Sequence, residues 1–102
     1  KELERAARLL YQADRKLEAY AARRLGRVHL VRYDAFEDVG GRLSFSCAML
    51  DDHGDGVVVT SINGRRDTRV YAKPIAAGRS PYSLSTEEEE AIAKAMSEAP
   101  GR

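Results

Sequence analysis

Three carboxylates, Asp34, Glu37 and Asp38, fall within five residues of one another just before Gly40-Gly41, a spacing at which a paired acid and base could serve hydrolysis. Arg32 and Tyr33 precede them. The run Arg32-Tyr33-Asp34 can form a ligand-facing rim at a strand end, or the three carboxylates can simply neutralise Arg27, Arg32 and Arg42 around the sheet end. A second group, Arg65, Arg66, Arg69 and Lys73 with Tyr71 among them, has donors for phosphate. With Tyr33 it also has the rings for base stacking used by sheet-based nucleic-acid readers. Asp67 interrupts that patch, and 17 basic against 16 acidic residues leave a formal charge of +1, whereas a polyanion binder carries a clear excess. Nucleic-acid or phosphate-ligand binding is therefore an alternative and not the leading reading, and a carboxylate hydrolase around residues 34–38 stands behind it.

Asp51-x-His53-x-Asp55-Gly56 has alternating oxygen ligands and a bending glycine like the start of a calcium loop, but position twelve is Ile62 where a bidentate glutamate is required. A hairpin turn is the expectation there. Cys47 falls among large apolar residues, which predicts a packed thiol of high pKa and no catalytic role. His29 and His53 lie on different elements with no triad or zinc spacing around them. No catalytic residue, metal or cofactor is assigned, and the reading leans away from an enzyme.

The elements that must position these residues follow from hydrophobic period. Leu3, Ala6, Leu10, Ala13, Leu17 and Tyr20 recur at spacings of three and four, an a/d seam that predicts one helix over 2–25, stopped by Gly26 and projecting in its first half. From Val28 the period is two. His29, Val31, Tyr33 and Ala35 share one side of a first strand. Leu43, Phe45, Cys47 and Met49 alternate with Ser44, Ser46, Ala48 and Leu50 in a second, the large set being expected to face the core. Val57 to Ile62 is a third strand. Asn63-Gly64 predicts a two-residue turn that opposes Ile62 to Arg65 and Val58 to Arg69. In that register Arg65, Asp67, Arg69 and Tyr71 share one face of the fourth strand, and Pro74 ends or edges it. Ser85 with Glu88, or Thr86 with Glu89, forms a capping box for a helix over 86–98, whose Ala91, Ile92, Ala95, Met96 and Ala99 make a narrow stripe suited to close packing, before Pro100-Gly101.

Length and composition bound the rest. The 102 residues suffice for one core. Charge is segregated: residues 1–27 carry eight cations and four anions, residues 80–102 two and five. One cysteine excludes an intrachain disulfide, and a cytoplasmic setting is expected. No apolar run approaches the ~18–20 residues of a membrane span, and the lack of an initiating Met suggests a chain trimmed at its start, so that an anchor could precede it.

Taken together, Arg32-Tyr33-Asp34-Ala35-Phe36-Glu37-Asp38 with Gly40-Gly41, Asp55-Gly56-Val57-Val58, Ser61-Ile62-Asn63-Gly64-Arg65, Tyr71-Ala72-Lys73-Pro74 and Leu84-Ser85 with Glu88 resemble an uncharacterised bacterial family, the domain of unknown function numbered forty-four forty-six. The resemblance spans about residues 20–96. It implies a membrane segment followed by a coiled-coil-like helix ahead of the domain, on the cytoplasmic side, and it supplies no catalytic residue.

The resulting expectation is an α+β protein: a long N-terminal helix, a four-stranded antiparallel β-meander and a C-terminal helix packed on the sheet, with part of the N-terminal helix sharing that cover. Its organisation is a coiled-coil-like helix at 1–26, a small α+β domain at 27–99 and a tail at 100–102. The expected function is a non-enzymatic interaction or scaffold module, a homodimer through Leu3, Leu10, Leu17 and Tyr20, displayed near an inner membrane by a segment outside these residues. An unknown protein partner would meet Arg32, Tyr33 and Asp34 or Arg65, Arg69, Tyr71 and Lys73.

Overall fold

The computed structural model, which describes residues 1–37 and 40–97, follows the two hydrophobic periods of the chain. The seven-residue rhythm forms α1 (Glu2–Ala22). The two-residue rhythm forms β1 (Arg27–Tyr33), β2 (Ser44–Leu50), β3 (Gly56–Asn63) and β4 (Thr68–Ile75), and α2 (Thr86–Ser97) follows. The strands make one antiparallel sheet in the order β1-β2-β3-β4, the expected meander. The turn expected at Asp38-Val39, and Ala99 and Pro100-Gly101 beyond α2, lie outside the described residues.

α1 ends three residues before its predicted limit. Arg23 is its C-cap, at φ −94° and ψ 0°, and Gly26 does not adopt the left-handed conformation that a glycine stop needs. A tertiary bond replaces that stop. The Ala22 carbonyl accepts the Asp52 N–H at 2.9 Å, which satisfies one orphan carbonyl of the helix end. Arg27, buried at the foot of β1, donates Nε to Asp52 Oδ1 at 3.0 Å and a terminal N–H to the Met96 carbonyl at 3.0 Å. It joins the base of α1, the β2–β3 turn and the C-terminal end of α2, where a cation complements the helix dipole.

No residue of α1 is buried, so the N-terminal helix does not share in covering the sheet, contrary to expectation. The whole helix projects, roughly 32 Å of it at 1.5 Å per residue, and the molecule measures 72 × 26 × 19 Å.

The core lies on the opposite face of the sheet from the one expected. α2 packs against Ala48, Leu50 and Val58 through Ala91, Ile92 and Ala95, with Ile75 completing the buried cluster. Phe45, Cys47 and Met49, the large set of β2, are only half-buried on the other face. The reason is steric. A helix whose contact stripe is alanine approaches closely only where the strand also presents small groups, and Ser44, Ser46 and Ala48 are such a surface. Three cross-strand rows then face away from α2: Val28, Met49, Val57 and Pro74; Leu30, Cys47, Val59 and Ala72; and Arg32, Phe45, Ser61 and Val70.

The β3–β4 connection also differs from expectation. The ladder closes at Asn63 and Thr68, Ile62 faces Arg69 and Val58 faces Lys73, so the loop is residues 64–67 and not a two-residue turn. Asn63 stays in the strand because its side chain bonds the Leu43 carbonyl and the Thr68 hydroxyl, at 2.8 and 2.9 Å. The slip of four residues is even, and every side chain keeps its predicted face. Pro74 sits within β4, which is an edge strand and tolerates a missing donor. Residues 51–55 connect two antiparallel strands, as a hairpin turn there requires. Gly56 cannot carry a side chain, since a Cβ would overlap the Met49 carbonyl oxygen. Replacing Ala91 with Leu should lower stability by ~1–3 kcal/mol through overpacking; an unchanged urea midpoint would show that α2 does not lie close on the sheet.

Candidate functional site

Glu88 shows how the site is built. Its position on α2, three and four residues before Ala91 and Ile92 and seven before Ala95, places it on the buried stripe, and it is 1% exposed. A buried carboxylate needs partners. Oε1 accepts from Lys73 Nζ at 2.8 Å and from the Ser85 N–H at 2.8 Å, and Oε2 accepts from Thr60 Oγ1 at 2.6 Å. Thr60 thereby uses its own proton on Glu88 and takes that of Ser46 at 2.8 Å. The Ser85 hydroxyl accepts the Glu88 N–H at 3.1 Å, so the capping box is Ser85 with Glu88. Burial works to raise the Glu88 carboxyl, but the bonds from Lys73, Thr60 and Ser85 outweigh it and hold it below the ordinary 4.5. It is an anion with its lone pairs engaged, which suits holding an element in place and not proton transfer.

Beside this network is an open cleft of about 390 Å³. Its floor is Thr60, Ile62, Tyr71 and Lys73 of β3 and β4, its roof the first turn of α2 with Ser85, Glu87 and Glu88, and its far wall Tyr33, Asp34 and Ala35 at the end of β1. Lys73 reaches the Ser83 carbonyl at 2.7 Å as well as Glu88, which engages two of its three donors and leaves one for a ligand. Asp34 Oδ1 accepts the Arg42 N–H at 2.6 Å. Arg42 lies at φ +51° after Gly41 at φ +90°, and Asp34 with Arg32, whose Nε donates to the Arg42 carbonyl at 3.1 Å, holds that residue in a conformation L side chains seldom adopt.

The predicted binding residues thus divide three ways. Tyr33, Asp34, Tyr71 and Lys73 meet in the cleft. Arg65 and Arg69 line an adjoining depression of about 280 Å³ with Phe36, Ile62 and Asp67. Arg69 lies beside Tyr71 and Asp67, which hold its guanidinium more firmly charged. Arg32 lies on the sheet face turned away from α2 and lines neither. Leu3, Leu10, Leu17 and Tyr20 stand on α1, at the other end of β1 from the cleft. Thr60, Ile62, Glu87 and Glu88 were absent from the expected set, although the spacing of Glu88 ahead of Ala91, Ile92 and Ala95 signals a buried acid.

Elsewhere, Asp51 accepts N–H groups from Asp55 and His53, and that from Asp55 is the chief reason its carboxyl lies below the ordinary range. Its oxygens shape the turn. Among the described residues no group of three or more His, Cys, Asp or Glu is placed to hold a metal ion. Burial raises the Cys47 thiol.

A family model described as a protein of unknown function, DUF4446, matches residues 1–96. The chain belongs to this family. The match includes α1, so the projecting helix is part of the family's pattern and not an appendage to it. No curated protein and no solved structure matches the chain significantly.

A carboxyl held lower in the folded protein than in the unfolded chain contributes stability that is present above the unfolded value and lost as pH falls through the folded one. Stability should therefore decline on acidification below pH 4.5, the ordinary glutamate value, with Asp51 adding to the same limb. Glu88→Gln should lower stability at neutral pH by about 2–4 kcal/mol and flatten that limb in urea midpoints taken across pH; parallel profiles for the two proteins would assign the limb to other groups.

Proposed function

We propose that this chain is a non-enzymatic interaction module that self-associates through α1, a dimer being the favoured state, and offers the cleft at the far end of its sheet to a protein partner. One observation carries the reading: Leu3, Leu10, Leu17 and Tyr20 are between 65% and 86% exposed on a 21-residue helix with no buried residue. An isolated helix of this length is marginal in water, and a seam of leucine, alanine and tyrosine is stabilised by a second copy of itself.

The layout supports the same reading. β1 runs from the base of α1 at Arg27 to the cleft wall at Tyr33, so stalk and cleft occupy opposite ends of the body, ~20 Å apart at ~3.3 Å per residue. Display on the inner side of a bacterial membrane, which the family resemblance implies, needs a segment other than these helices, because no helix among the described residues is long and apolar enough to cross one.

The alternatives draw less from the geometry. A phosphate ligand would find Lys73 paired with Glu88, Arg69 paired with Asp67, and the carboxylates of Asp34, Glu87 and Glu88 in the cleft. A hydrolase would find Asp34 holding a backbone N–H and Glu88 ionised and engaged.

Sedimentation equilibrium of the full chain against a Leu10→Asp, Leu17→Asp variant tests the stalk. The seam substitutions should weaken association at least about tenfold, a loss of ~1.4 kcal/mol or more, and reduce helicity in dilute solution. A wild-type chain that sediments as a monomer throughout, or a variant that associates as tightly, would end the proposal.

A further inference from the structure

The face of the sheet turned away from α2 has no cover among the described residues. Across its middle run Leu30, Cys47, Val59 and Ala72, one from each strand. Leu30 is 50% exposed and Val70, one row further along, 64%. An antiparallel sheet with one solvated face ordinarily alternates apolar and polar residues, yet on β2 the open face carries the large apolar groups Phe45, Cys47 and Met49, while the covered face carries Ser44 and Ser46 beside Ala48 and Leu50. We infer that the open face is a dimer interface, packed against the same face of a second copy to form a four-layer assembly with α2 outside each sheet.

Area argues for this occupant. Four strands ~4.8 Å apart and about seven residues long present roughly 19 × 23 Å. Two such faces project roughly 870 Å² together, and the corrugation of their side chains brings the surface removed from water to the ~1,000 Å² that a specific contact needs. A single helix is ~10 Å across with its side chains, too narrow to cover all four strands, whereas a second sheet covers the full width at the slight angle that twisted sheets adopt. Charge argues likewise. The strand positions on this face hold one charged side chain, Arg32, on edge strand β1. A two-fold axis along the strands sets β1 of one copy over β4 of the other, so the two Arg32 residues lie at opposite edges, in reach of water and apart from each other. The same axis brings both α1 helices out at one end of the assembly. The inference does not depend on the α1 seam.

Cys47, the only cysteine, lies half-buried in the middle of this face and reports on it directly. Its alkylation by iodoacetamide should slow at least about fivefold as the full chain is raised from ~1 µM to ~500 µM, because mass action closes the face. Leu30→Lys and Val70→Lys, both at positions already half or more exposed, should leave the circular dichroism unchanged and restore rapid labelling at high concentration. In the Leu10→Asp, Leu17→Asp chain the concentration-dependent protection should persist. Labelling at one rate at every concentration would overturn the interface, even for a chain that dimerises through α1. Protection that survives in a chain whose association ignores the seam would uphold the interface and defeat the stalk. Protection unaffected by the lysine substitutions would also overturn it.

Discussion

Alanine at positions 91 and 95 sets how near α2 can lie to the sheet, and serine and alanine at 44, 46 and 48 set which face can receive it. That small-on-small contact governs the other features of the body. It permits close approach of a short helix, it buries Leu50, Val58 and Ile75 beneath that helix, and it turns Phe45, Cys47 and Met49 the other way. A core of this kind stabilises through packing density more than through bulk of apolar surface, and it leaves the domain with more hydrophobic area than one helix can cover.

Small residues bring polar atoms with them, and the core accommodates these by pairing every one described. Ser46, Thr60 and Glu88 form a chain of hydrogen bonds that ends on Lys73, and no buried side-chain polar atom among the described residues lacks a partner. Because Glu88 caps its own helix while bonding β3 and β4, the network specifies where along the sheet α2 begins. The cleft is a consequence. It is the space between the first turn of α2, held by Glu88, and the end of β1, held by the Asp34 and Arg32 bonds to Arg42. Arg27 plays the matching part at the other end, where α1, the β2–β3 turn and the end of α2 converge.

The two uncovered apolar surfaces, the α1 seam and the outer sheet face, are of one physical kind: each is too hydrophobic to be explained by the body that bears it. They meet at the Arg27 end of the sheet, so a single two-fold axis can serve both, and the cleft stays clear at the opposite end. Under the proposed function, assembly would lie at one end of the molecule and partner recognition at the other.

Hydrophobic period alone determined the element order, the antiparallel meander, the residues that share each strand face and the projection of the first half of α1, because a side chain's phase on a helix or strand is a local property. Even the misplaced β3–β4 turn kept its faces right, since the slip was even. Three matters were settled only by tertiary structure. Which face of β2 is the core turned on how closely Ala91 and Ala95 can approach it, and both faces carry apolar residues. The end of α1 at Ala22 and not at Gly26 turned on a bond from Asp52, thirty residues away. The joining of Tyr33, Asp34, Tyr71 and Lys73 with Glu88 in one cleft turned on strand register and on where α2 docks. Each depends on contacts between residues distant in the chain, whose energies no local pattern encodes.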